Sequence, residues 1–177
     1  MNRHESNGKT FILFSPGDYL EKIRWEFERL KRMDDGELPG YLYQTVNCLS
    51  DIWHMCDWVY AAANQGAKPA RDGLRIFRKS IQDQDRSLTI AREIADAHKH
   101  SRVDSSPDPY IGTGYVLGPG PLRKASKSWF ILDGKELLRP EDVVQSGIRF
   151  WSDYLSHHDM LAETPLEEIY SGEKSLL

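Results

Sequence analysis

Two stretches of the chain carry side chains able to do chemistry. In Tyr41–Ala63, His54 and Asp57 stand three residues apart; in Asp85–His100, Asp96 and His100 stand four apart with Lys99 beside them. On α-helices these spacings place side chains on one face, so each pair is expected to converge on a point beyond its helix. A His–carboxylate pair from each of two facing helices is one way a bundle core holds a divalent metal. Such sites usually add further carboxylates, and neither stretch contains HExxH or ExxH. We therefore assign no metal and no cofactor. The plainer reading is a hydrogen-bond network, structural or substrate-facing, in which His54 reaches Asp96 across the helix pair and sets the packing register. Its members are His54, Asp57, Trp58, Asp96, Lys99 and His100. Trp58 is an apolar filler first and a stacking surface second.

The element that must position half of these residues is the longest helical pattern in the chain, Tyr41–Ala63. At about 100° per residue, Leu42, Val46, Leu49, Trp53, Cys56, Tyr60 and Ala63 form one apolar line. Asn47, Asp51, His54 and Trp58 form a second line beside it, with Asp57 adjacent. A helix that served only a core would not need that second line. Asp85–His100 carries the other half, with Ile90, Ile94 and Ala97 inward, Ala91 beside them and His98 close to that face.

The remaining chain frames these two helices. Thr10–Phe14 reads as an edge strand or as an extended segment laid over the bundle. Ser15-Pro16-Gly17-Asp18 predicts a helix start, with Ser15 as N-cap and Pro16 at the first position. Tyr19, Leu20, Ile23, Phe27, Leu30 and Met33 are its inward face. A third helix is expected from about Ala70 to Gln82, with Leu74, Phe77 and Ile81 inward. Its cations, Arg71, Arg75, Arg78 and Lys79, read most simply as a solvated face. Val103–Pro109 is a loop by composition. Tyr110–Leu117, Lys127–Leu132 and Lys135–Leu138 read as strands, with Gly118–Pro121 as one turn and Asp133-Gly134 as a two-residue hairpin loop. Pro140 to about Leu155 predicts the last helix, burying Val144, Ile148, Trp151 and Leu155.

The fold expected is α+β, mostly α: a four- to five-helix bundle with a three-stranded antiparallel β-meander before the last helix. Residues 1–10 are expected to be a flexible leader. Residues 11–157 form a single helical-bundle domain with the meander at about 110–138, and 158–177 a C-terminal tail. The 177 residues suffice for one hydrophobic core. A net charge of -4 gives no bulk attraction to nucleic acid or acidic membranes, so any such contact needs a local basic patch. No apolar run approaches the roughly 18 residues of a spanning helix, and Phe11–Phe14 is too short for a signal peptide. Cys48 and Cys56 lie eight apart on one helix, roughly 12 Å, too far for a disulfide. A cytoplasmic location with reduced thiols is expected.

Two resemblances follow from particular residues. Arg92-x5-His98 resembles the R-x4–6-H motif of HEPN domains, helical bundles of similar size, many of them metal-independent ribonucleases. The resemblance implies that Arg92 holds a scissile phosphate and that His98 assists proton transfer during attack by an RNA 2′-hydroxyl. Arg92 and His98 stand about 120° apart on an ideal helix, and Glu93 occupies a position where that family often has Asn, Asp or His. The run Trp53-His54-x-x-Asp57-Trp58, the segment Ile94–His100 (I-A-D-A-H-K-H), the strand-DG-strand unit and Phe150-Trp151 resemble a group of small bacterial proteins. In that group a W-H-x-x-D-W helix and an I-A-x-A-x-K-H helix recur together; the resemblance spans roughly residues 41–155 and carries no activity with it.

Three functions are therefore expected, in this order. The first is a non-catalytic protein-interaction or ligand-binding module, with a partner protein or a homodimer formed through the bundle. The second is a HEPN-like RNA-binding protein or metal-independent ribonuclease of a toxin or defence system, using Arg92 and His98, with Lys99, His100, Arg71, Arg75 and Arg78 assisting. The third is a divalent-metal bundle hydrolase.

Overall fold

The computed structural model describes residues 13–33, 39–64, 71–99, 110–117 and 125–161; side chains are described for these except at 71, 99, 110–117 and 125–128. The element order is α1 (Pro16–Arg32), α2 (Gly40–Ala63), α3 (Arg71–Gln82), α4 (Arg86–Lys99), β1 (Tyr110–Leu117), β2 (Ala125–Asp133), β3 (Glu136–Leu138) and α5 (Pro140–His157). The expected leader, the 103–109 loop, the 118–121 turn and the tail beyond 161 lie outside the described residues.

α1 begins where its capping residues place it. Ser15 Oγ accepts from the Asp18 backbone N–H at 3.0 Å, and the Asp18 carboxylate accepts from the Phe14 N–H at 3.0 Å. Two N-terminal donors are thereby satisfied in the manner of a capping box. Leu13 packs against the core, and neither Leu13 nor Phe14 is in a strand. Residues 10–12 lie outside the described residues.

α2 packs against each of the other four helices, and this broadens its expected core face. Leu49, Trp53 and Cys56 of the expected line are buried, and so is a second line of Tyr41, Thr45, Cys48, Ile52, Met55 and Val59; Leu42, Val46 and Tyr60 are half-buried and Ala63 is exposed. A helix enclosed on several sides needs a broad apolar surface rather than a single stripe. Trp151 of α5, fully buried, donates its indole N–H to the Ile52 carbonyl at 2.9 Å and ties α5 to the middle of α2. Gly147 permits the same approach: a Cβ there would lie 2.8 Å from Ile52 Cγ2.

The sheet is small and antiparallel, in the order β1-β2-β3. β1 and β2 form its body, from Tyr110 opposite Leu132 to Leu117 opposite Ala125. β3 adds only three residues, paired from Leu138 opposite Ile131 to Glu136 opposite Asp133. The two-residue loop is therefore Gly134-Lys135, one residue later than the sequence suggested. Gly134 takes the left-handed conformation that the turn requires (φ 62°), while Asp133 completes the ladder and receives the Arg86 guanidinium. Ile131 is fully buried, and β2 also contacts α5, so the sheet closes one side of a mostly helical core. Among the described residues, no helix is long and apolar enough to cross a membrane.

Candidate functional site

Because the other helices cover most of α2, its polar line becomes the floor of a groove between α1 and α4. The groove is a cleft of about 560 Å³. Asn47, Ser50, Asp51 and His54 lie along its floor, Lys22 and Glu26 face it from α1, and Asp96 and His98 face it from α4. Three of the four residues of the second line read from the sequence are thus in one place.

The α1 side of this cleft is rigidly built. Asp51 accepts the Tyr19 hydroxyl at 2.7 Å and is paired with Lys22 Nζ. Burial, followed by the Asp51 charge, pushes the Tyr19 phenol far above its ordinary range, so it stays a hydrogen-bond donor. Gln44 Nε2 donates to the Glu26 carbonyl at 3.0 Å and also to its carboxylate, orienting Glu26. Trp58 stacks on Tyr19 with ring centroids 4.9 Å apart. Its ring therefore has a protein partner and belongs to the packing that holds Tyr19 and Asp51.

His54 and His98 behave differently. Both are exposed, both line the cleft, and neither makes a hydrogen bond or ion pair among the described residues. The expected His54–Asp96 bond is absent there, and His98 is not turned into the core. Ala97 is also exposed; the buried side of α4 is Leu88, Ile90, Ala91, Ile94 and Ala95. Ser50 Oγ, beside His54 on the floor, is buried with no hydrogen-bond partner among the described residues.

Asp57 does not converge with His54. Its carboxylate takes Arg78 Nη2 of α3 at 2.6 and 2.8 Å. A step of three residues turns the helix by about 60° short of a full turn, enough here to send His54 to the α1–α4 groove and Asp57 to α3. On that other side lies a second cleft, of about 820 Å³, with Arg75, Arg78 and Lys79 of α3 and Arg92 of α4 along it. Trp53 and Asp96 line both clefts and form the partition. Arg92 donates to Gln82 Oε1 at 3.1 Å and lies 3.5 Å from both Asp96 and Glu93. Arg92 and His98 thus open to different clefts. The side chains of Lys99 and Arg71, and all of His100, lie outside the described residues.

Among the described residues, no group of three or more His, Cys, Asp or Glu side chains is placed to hold a metal ion. Cys48 and Cys56 are free and buried, and burial pushes each thiol up to about 12. Neither is primed as a nucleophile. Lys22, Glu26 and Ser50 were not singled out from the sequence. The available signal was the i,i+4 spacing of Lys22 and Glu26 along the margin of the α1 apolar face.

Comparison with known proteins finds no matching family model, no matching curated protein and no matching solved structure.

Proposed function

We propose that the chain is a non-catalytic ligand-binding module whose site is the cleft between α1 and α4. The observation that carries this reading is the pair of imidazoles, His54 and His98, facing one cleft without partners among the described residues, beside an Asp51 and a Glu26 that are held in place. Free imidazoles can accept or donate hydrogen bonds to a ligand at no cost to an existing contact. The lining carries three carboxylates, Glu26, Asp51 and Asp96, against one ammonium, Lys22. The chemistry favoured is a small polar molecule bearing an ammonium or guanidinium group. A volume of about 560 Å³ is within the ordinary range for small-molecule sites.

The ribonuclease reading requires Arg92 and His98 to meet at one phosphate, and their opening to separate clefts weighs toward the binding module. Calorimetric titration of the wild type and of His54→Ala/His98→Ala with 1,4-diaminobutane, agmatine and arginine amide tests the proposal. Saturable binding of at least one probe, weakened at least tenfold in the double variant, is expected. Absence of binding by the wild type, or equal binding by the variant, would remove the proposal.

A further inference from the structure

The second cleft has its own chemistry, independent of the first. Arg75, Arg78 and Lys79 stand at spacings of three and four on α3, which puts them on one helix face, and Arg92 faces them from α4. The cleft lining holds these four cations and two carboxylates, Asp72 and Asp96, in a chain whose net charge is -4. Asp57, Asp83 and Glu93 pair with these cations from outside the lining, so an anion is drawn not by an excess of charge but by the two exposed, weakly paired cations, Arg75 and Lys79.

Arg75 and Lys79 are the least committed of these cations. Arg75 and Asp72 are 3.8 Å apart with side chains 77% and 85% exposed. Lys79 and Asp83 form an i,i+4 pair, also largely exposed. Exposed pairs of this kind contribute at most about 1 kcal/mol, so an incoming anion can recruit either cation. Arg78 is held firmly by Asp57. Arg92 is oriented by Gln82. Two positioned guanidiniums and two adaptable cations around one volume suit a group with several acceptor oxygens.

The geometry points to a binding site for a small phosphorylated ligand in the cleft between α3 and α4, with Arg75, Arg78, Lys79 and Arg92 as its phosphate contacts. A polymer fits this cleft less well than a small molecule. An RNA strand leaving the cleft would pass a surface carrying Asp83 and Glu93, on a chain without bulk attraction for polyanions.

Inorganic pyrophosphate is the probe, titrated calorimetrically into the full chain at low ionic strength. Arg75→Glu/Lys79→Glu removes two exposed cations; Arg29→Glu/Lys31→Glu on α1 makes the same change in net charge outside the cleft. Saturable binding is expected in the wild type, retained in the α1 variant and weakened at least tenfold in the α3 variant. Arg75→Gln/Lys79→Gln, with circular dichroism, separates lost contacts from lost folding and is expected to lose affinity while remaining folded. No saturable binding by the wild type, equal losses in the α1 and α3 variants, or full affinity in the glutamine variant would overturn the site. Tighter binding of a short single-stranded RNA than of pyrophosphate, dependent on the same α3 cations, would overturn the small-ligand assignment.

Discussion

Asp51 and His54 are neighbours on the polar side of α2, and replacing each by alanine should give opposite results. Asp51 is 15% exposed and accepts a 2.7 Å hydrogen bond from Tyr19, itself only 7% exposed. Asp51→Ala would leave that buried hydroxyl without its charged acceptor, a loss of about 1.5–3 kcal/mol. The half-exposed Lys22 pair adds at most about 1 kcal/mol. A total near 2–4 kcal/mol corresponds to a drop in Tm of roughly 5–12 °C for a chain of this size. His54 is exposed and has no hydrogen-bond partner among the described residues, so His54→Ala should change stability by less than about 0.5 kcal/mol. Urea unfolding of both variants, completed by Tyr19→Phe and the Tyr19→Phe/Asp51→Ala double variant, measures the terms directly. The Tyr19–Asp51 coupling should be about 1–2 kcal/mol. A loss below about 1 kcal/mol for Asp51→Ala, or above it for His54→Ala, would refute the assignment of Asp51 as the fixed wall and His54 as the free group.

Three further outcomes follow from the packing. Gly147→Ala should destabilise the fold by about 1–2 kcal/mol by urea unfolding, because overpacking against Ile52 outweighs the gain in helix propensity of about 1 kcal/mol; a more stable variant would contradict the close α2–α5 contact. Cys48 and Cys56, raised from 9.0 to about 12, keep their protons when folded and release them on unfolding at high pH. Their contribution to stability is complete below about pH 9 and declines as pH rises toward 12, so the urea midpoint should fall between about pH 8 and about pH 10; prompt labelling of the folded protein by a thiol reagent would contradict their burial. Arg86 forks onto Asp133, which is 11% exposed, so Arg86→Lys should cost about 1 kcal/mol and lower hydrogen-exchange protection in β2 and β3; unchanged protection would detach the hairpin from α4.

The helix boundaries were legible because their signals are local. Ser15-Pro16 and Arg139-Pro140 start α1 and α5 where the sequence places them. The breadth of the buried face of α2 was not legible. Its sequence offers two lines of compatible residues, and only the arrangement of four neighbouring helices buries the line from Tyr41 to Val59 together with Leu49, Trp53 and Cys56 of the expected line. The polar line was legible as a feature, and Asn47, Asp51 and His54 do share a cleft. The separation of His54 from Asp57 depended on Arg78, a residue from another helix whose direction no periodicity reveals. The same holds for Arg92 and His98, whose 120° separation becomes two clefts only because Trp53 and Asp96 stand between them.

The claim that His54 and His98 belong to one open ligand site is tested most directly by NMR of their imidazole resonances during titration with agmatine. Saturable shifts at both histidines with a single apparent Kd, and none at the exposed His157 on α5, are predicted. Shifts at neither, or shifts at His54 and His98 that follow different affinities, would contradict it.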